Sequence, residues 1–116
     1  MSAQATVVKA LSGVLGVRVS TQMPKEKPKE FVIVSRIGGG ADDWATRNPR
    51  FLVECFADSE LAAEALGERT WEAWRRLRTP DIRWATVDNN LARFTDPDPK
   101  LHRFQFTGSA QLRASR

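Results

Sequence analysis

With 116 residues, one cysteine, 41% hydrophobic and 28% charged content and a net charge of +4, this chain has the composition of a globular protein, which argues against wholesale disorder. A chain of this length buries roughly 65% of its unfolded surface, enough for one modest core, so residues 1–116 read as a single domain. Lone Cys55 excludes an intrachain disulfide, and no signal peptide or apolar run of the roughly 20 residues that span a bilayer is visible, so a reducing cytoplasm is the expected place of synthesis and no membrane role is expected.

The positive balance permits an anionic partner. The basic residues are nevertheless spread out and interleaved with Glu26, Glu30, Asp42, Asp43 and the acids of residues 60–72, which reads as solubilising charge rather than a nucleic-acid groove.

Val7, Val8, Leu11, Val14 and Leu15 share one stripe of a short helix starting near Ala3 and ended by Gly13 or Gly16. Residues 17–23 and 31–37 read as strands. Between them residues 24–29 (PKEKPK) carry two prolines that remove ladder donors, so the pair is expected to form a long-tipped hairpin. Residues 38–49 (GGGADDWATRNP) read as a loop.

Residues 50–57 (RFLVECFA) read as a central strand with Phe51, Val53 and Cys55 on one buried face and Leu52 and Phe56 partly buried on the other. Asp58 or Ser59 caps the next helix, Glu60 suits its positive end, and Arg75, Arg76 and Arg78 suit its negative end before Thr79-Pro80 stops it. Steps of about 100° put Ala62, Leu66, Ala73 and Leu77 on the inward stripe with Ala65 and Trp74 at its margins, and Trp71 on the far side among Glu60, Glu64, Arg75 and Arg78.

Residues 82–87 and 91–94 form one strand interrupted at Asp88-Asn89-Asn90, or two short ones, and Asp96-Pro97-Asp98-Pro99 makes a stiff turn. Residues 101–112 supply the last strand, with His102, Phe104 and Phe106 on one face, Arg103, Gln105 and Thr107 on the other, and a bulge at Gly108. Residues 114–116 are expected to fray. The order α-β-β-β-α-β-β gives an α+β fold: a mixed or antiparallel sheet of about five strands with two helices packed on it.

No catalytic, cofactor or metal residue is nominated, and no enzyme is expected. His102 and Cys55 are too few soft ligands for a structural zinc, and although they could pair on neighbouring strands as a nucleophile and base, Cys55 sits in a run that reads as inert core. Gly38-Gly39-Gly40 lacks the Lys-Ser/Thr ending of a phosphate loop, and Asp42-Asp43 and Asp96/Asp98 lack calcium-loop spacing. Of the four tryptophans, Trp74 and Trp84 read as core. Trp44 and Trp71 weigh evenly between interface and self-packing, because a large aromatic gains about 2–3 kcal/mol on burial.

With these elements placed, residues 17–21 (VRVST), Pro24, Pro28 and residues 31–39 (FVIVSRIGG) resemble the opening of the tail terminator, or tail completion, proteins of long-tailed phages. Residues 51–57 running into an Ala/Glu-rich helix, and the DPDP turn followed by residues 103–107 (RFQFT), are similar to that family's middle and close. The resemblance spans nearly the whole chain; the loop at 38–48 is longer than the family pattern.

The resemblance implies a non-enzymatic virion protein without a cofactor. It would form a ring, typically a hexamer, at the head-proximal end of the tail, stop tube polymerisation and offer a surface to the filled head. Its partners would be copies of itself, the tail tube protein and the head-to-tail connector, with nucleic acid present only as DNA passing through the ring. Head-to-tail contacts between unlike surfaces close such a ring when the rotation permits. On this view Lys25, Lys27 and Lys29 at the tip, and Asp42, Asp43 and Trp44 in the loop, touch tube or neck, while Trp71, Arg75 and Glu64 face a neighbouring subunit. A neck adaptor is the nearest alternative, and a small basic nucleic-acid-binding module a more distant one.

Overall fold

Ser2 starts the first helix: its hydroxyl accepts the Ala5 N–H at 3.1 Å. In the computed structural model, which describes residues 1–114, helix α1 (Ala3–Leu15) ends at Gly16, whose φ of 71° is a left-handed cap and whose N–H bonds Ser12 O. Ala3, Val7, Leu11 and Leu15 are buried on one stripe, whereas Val14 is 63% exposed and lies off it.

Strand β1 (Arg18–Ser20) follows at once and pairs in parallel with β2 (Glu30–Gly39), Val19 opposite Val32. The expected hairpin is therefore wrong. Val19 sits in the same cluster as Leu11, Leu15 and Val32, so β1 is docked by its packing on α1, and the nine residues 21–29, which reach about 30 Å when extended, suffice to return past a three-residue strand to the start of β2. A tight turn is what Pro24 and Pro28 do not provide.

β2 pairs antiparallel with β4 (Pro49–Ala57), Phe31 opposite Phe56 and Arg36 opposite Phe51, with an irregularity between Arg36 and Gly39. β3 (Thr46–Arg47) and β4 both pair with β7 (His102–Arg113) in one unbroken register, from Thr46 opposite Arg113 to Ala57 opposite His102, so they form one line. On the other edge of β7 lie β5 (Ile82–Val87) and β6 (Ala92–Thr95). Val87 opposes Gly108 and Ala92 opposes Gln105, five steps on one side against three on the other, so the register slips by two residues between them. Seven strands thus fill five columns, β1, β2, β3/β4, β7 and β5/β6, in a mixed α+β sheet.

Helix α2 (Glu60–Arg75) is capped by Ser59, whose hydroxyl accepts the Ala62 N–H at 3.2 Å. It buries Ala63, Leu66, Gly67, Thr70 and Trp74, with Leu77 beyond it, rather than the expected Ala62, Ala65 and Ala73. Gly67 explains the rotation: a Cβ there would lie 3.1 Å from Leu91 Cδ2 and 3.3 Å from Phe104 Cβ, so the helix turns its thinnest side to β6 and β7. Thr70 Oγ1 donates to Leu66 O at 2.7 Å, which satisfies the one buried hydroxyl on that side.

The core lies between the sheet and both helices, around Trp74, which meets Phe51 and Phe106 edge-on at centroid distances of 5.7 and 6.2 Å. Trp74 Nε1 donates to Thr86 O at 2.9 Å. Gly108 marks no bulge against β4, whose register runs through it, and it is the end residue of β7's pairing with β5; it leaves room for the indole. The bulge is instead in β5, between Ile82 and Trp84, and puts Trp84 on the face away from the helices, 43% exposed, with its Nε1 donating to Gln111 Oε1 at 2.8 Å. A smaller cluster of Phe31, Ile33 and Phe56 occupies that outer face and contains no helical residue. Ala114 N–H bonds Ala45 O at 3.0 Å, so it is tied down; the fraying expected at 115 and 116 lies outside the described residues.

Candidate interaction surfaces

The loop after β2 is ordered by its acids. Asp43 Oδ1 accepts the N–H groups of Ala45 and Thr46 at 2.8 and 2.7 Å, and its Oδ2 accepts the Thr46 hydroxyl at 3.0 Å. Those bonds, the Ala45 N–H first, hold the Asp43 carboxyl below its ordinary value of 3.8. Asp42 Oδ1 takes the Asn48 N–H at 2.8 Å, and Asn48 in turn holds Ala41 O and receives Gln111 Nε2. Both carboxylates are thus spent on shaping the loop. The result is a braced projection with Trp44 at its tip, 81% exposed.

Lys25, Lys27 and Lys29 are all exposed in the connection that precedes β2. They lie at the opposite end of that strand from Asp42, Asp43 and Trp44, about 30 Å away for ten residues of extended chain. The sequence reading joins these two sets as contacts of one kind; the fold separates them to two ends of a molecule 45 Å long.

Trp71, Arg75 and Glu64 share one face of α2, with Glu64 and Trp71 lining one hollow and Arg75 beside Trp71. The Arg75 guanidinium lies over the Trp71 ring at 5.0 Å and pairs with Glu72 at 3.0 Å. Trp71 does not stand on the far side of the helix: it is half-buried against the core and its Nε1 donates to Asn89 O at 2.9 Å. Beside it a hollow of about 440 Å³ has Trp71, Leu91 and Phe104 as its apolar floor and Glu64, Glu68 and Glu72 on its rim.

The open face of the sheet carries a feature that residue-by-residue reading misses. Arg103 pairs with Glu54 across β4 and β7 at 2.9 Å, with side chains only 20% and 15% exposed, and lies 5.7 Å from the rings of both Phe56 and Phe94. Nearby, Arg50 Nε donates to Asp88 Oδ2 at 2.6 Å and its NH2 group to Thr107 Oγ1 at 3.0 Å. The signal available in the sequence is the alternation Arg103, Gln105, Thr107, which places three polar side chains in a row on one strand face.

Cys55 is fully buried, and desolvation pushes its thiol up to about 12, against a smaller opposing effect of its hydrogen bond with Thr70. His102 stands opposite Ala57 and Cys55 opposite Phe104, so the two lie diagonally on adjacent strands, but a thiol held protonated in the core is no nucleophile. Among the described residues, no three His, Cys, Asp or Glu side chains converge as a metal ligand set, and no helix is long and apolar enough to cross a membrane.

The arrangement belongs to the class of α+β folds in which a mixed sheet keeps both helices on one face and leaves the other open. A chain in the solved structure "Virion of native gene transfer agent (GTA) particle" has a similar fold, with a TM-score of 0.58 and 14% sequence identity over 98% of this chain and 100% of that chain. No protein-family model and no curated protein matches the sequence.

Proposed function

We propose that this chain is a structural protein of a phage-like virion, and within that class a tail terminator: copies close a ring on the last tube ring, stop polymerisation and present the surface to which the head docks. The observation that carries this reading is the end-to-end likeness of fold to a chain of the gene transfer agent virion. The open sheet face and two well-separated projections, one led by Trp44 and one bearing Lys25, Lys27 and Lys29, suit a small subunit that must touch different neighbours on different sides. Its site is the head-proximal end of the tail, its partners are its own copies, the tube protein and the connector, and DNA passes through the ring without being read.

Negative-stain imaging of the purified protein mixed with polymerising tail tubes tests this directly. Capped tubes that stop growing at addition are the expected result. Uncapped tubes with the protein bound to isolated heads would make it a neck adaptor instead.

A further inference from the structure

We infer that the lysine-bearing connection of one copy docks in the acidic hollow on α2 of the next, so that the two patches form the repeating contact between subunits. This rests on the reading of the chain as a ring-forming subunit, and it assigns the lysines to a neighbouring copy rather than to tube or neck.

The hollow is built to receive a cationic, partly apolar segment. Its floor of Trp71, Leu91 and Phe104 is half-buried, leaving apolar surface in contact with water. On its rim Glu72 is already balanced by Arg75 at 3.0 Å and Arg76 at 3.6 Å. Glu64 and Glu68 form no ion pair among the described residues and stand one helical turn apart, where like charges repel. A cation placed between them removes that repulsion.

The complementary element is on the same chain. Lys25, Lys27 and Lys29 are exposed and form no ion pair among the described residues, and Pro24 and Pro28 restrict the backbone that carries them, which lowers the entropy lost on docking. A lysine stem can lie on the Leu91 and Phe104 surface, beside the Trp71 ring that already carries Arg75 at 5.0 Å, while its ammonium reaches a rim carboxylate.

Placement decides the partner. The connection joins β1 to β2 and so lies at the β1 edge of the sheet, whereas Leu91 and Asn90 place the hollow at the β5/β6 edge, with three columns between. The two patches cannot meet within one copy, and surfaces on opposite edges make a head-to-tail contact that continues from copy to copy until it closes.

The test is a charge swap. One variant carries Lys25→Glu, Lys27→Glu and Lys29→Glu; the other carries Glu64→Lys and Glu68→Lys. All five positions are exposed, so both variants are expected to keep the wild-type circular dichroism spectrum and unfolding midpoint. Each alone faces like charge with like, and should show roughly tenfold or greater loss of carbodiimide-cross-linked multimers and of rings on tubes. Mixed in equal amounts, every contact pairs Glu with Lys again, and multimers should return, with cross-links mapped between the tip and positions 64 or 68. If wild-type copies assemble and either variant assembles equally well alone, or the mixture fails to recover, the docking is wrong while the ring stands. If wild-type protein neither self-associates nor caps tubes, the ring reading itself fails and takes this contact with it.

Discussion

The Trp74 indole occupies the space where a side chain at Gly108 would be: a Cβ built on Gly108 would lie 2.9 Å from Trp74 Cε2 and 2.7 Å from Thr86 O, the same carbonyl that accepts the Trp74 N–H. Gly108→Ala should therefore destabilise the fold by about 1–3 kcal/mol, because neither the ring nor the β5 backbone has room to retreat. Chemical denaturation with an unchanged m value checks this, and a variant as stable as wild type would show that Trp74 is packed otherwise.

Arg103 and Glu54 form the most enclosed ion pair among the described residues. Arg103→Met alone leaves a largely buried carboxylate without its partner and should cost about 2–4 kcal/mol, somewhat under the figure for fully buried pairs because both side chains keep some exposure. Adding Glu54→Leu removes the stranded charge and should recover much of the loss. A double-mutant cycle with additive penalties would mean that the two residues do not act as a pair.

Cys55 should be inert in the native protein. With its thiol pushed up to about 12 and no exposed surface, a thiol reagent at about pH 8 should react only as fast as the chain unfolds, and completely in denaturant. Rapid stoichiometric labelling under native conditions would contradict the burial.

The Asp43 turn has a defined pH response. Because the folded carboxyl titrates below 3.8, the order it contributes to the loop is fully present above that value and is lost as pH falls through the lower folded value. Protection of the Ala45 and Thr46 amides relative to their intrinsic exchange rates should fall in that acidic window and stay constant between neutral pH and about 5. Asp43→Asn should show the weaker protection at neutral pH, and its difference from wild type should vanish once the wild-type carboxyl is protonated.

Trp44→Ala tests the role of the projection. On the proposed reading the variant keeps its fold but caps growing tubes less efficiently, with a broader distribution of tube lengths in electron micrographs. Unchanged length control would remove Trp44 from the tube or neck contact.

Both helices, the central strand and the long last strand are legible in the sequence because each is a local pattern: the Val7, Leu11 and Leu15 stripe, a cap at Asp58 or Ser59, Phe51, Val53 and Cys55 in alternation, and Phe106 facing inward from β7. Non-local pairings are not. Nothing between residues 21 and 29 says that β1, docked by its packing on α1, lies parallel to β2. The rotation of α2 depends on Gly67 meeting Leu91 and Phe104, and the role of Gly108 depends on Trp74, two contacts between residues far apart in the chain. Trp84 reads as core from its chemistry alone, and only the bulge after Ile82 turns it outward. Of the candidate contact residues, Trp71, Arg75 and Glu64 fall together because one helix carries them, while the two loop sets part because a ten-residue strand separates them.

β7 holds β3 and β4 along one side and β5 and β6 along the other, yet of these strands it is synthesised last. A nascent polypeptide that has emerged only as far as residue 101 can pair β1, β2 and β4, but β5 and β6 have no strand to join, and the far edge of β4 stays open to neighbouring chains on the polysome. The sheet joins across all five columns only once residue 113 clears the exit tunnel. Translation speed and chaperone supply would then bear on how much usable protein a cell accumulates.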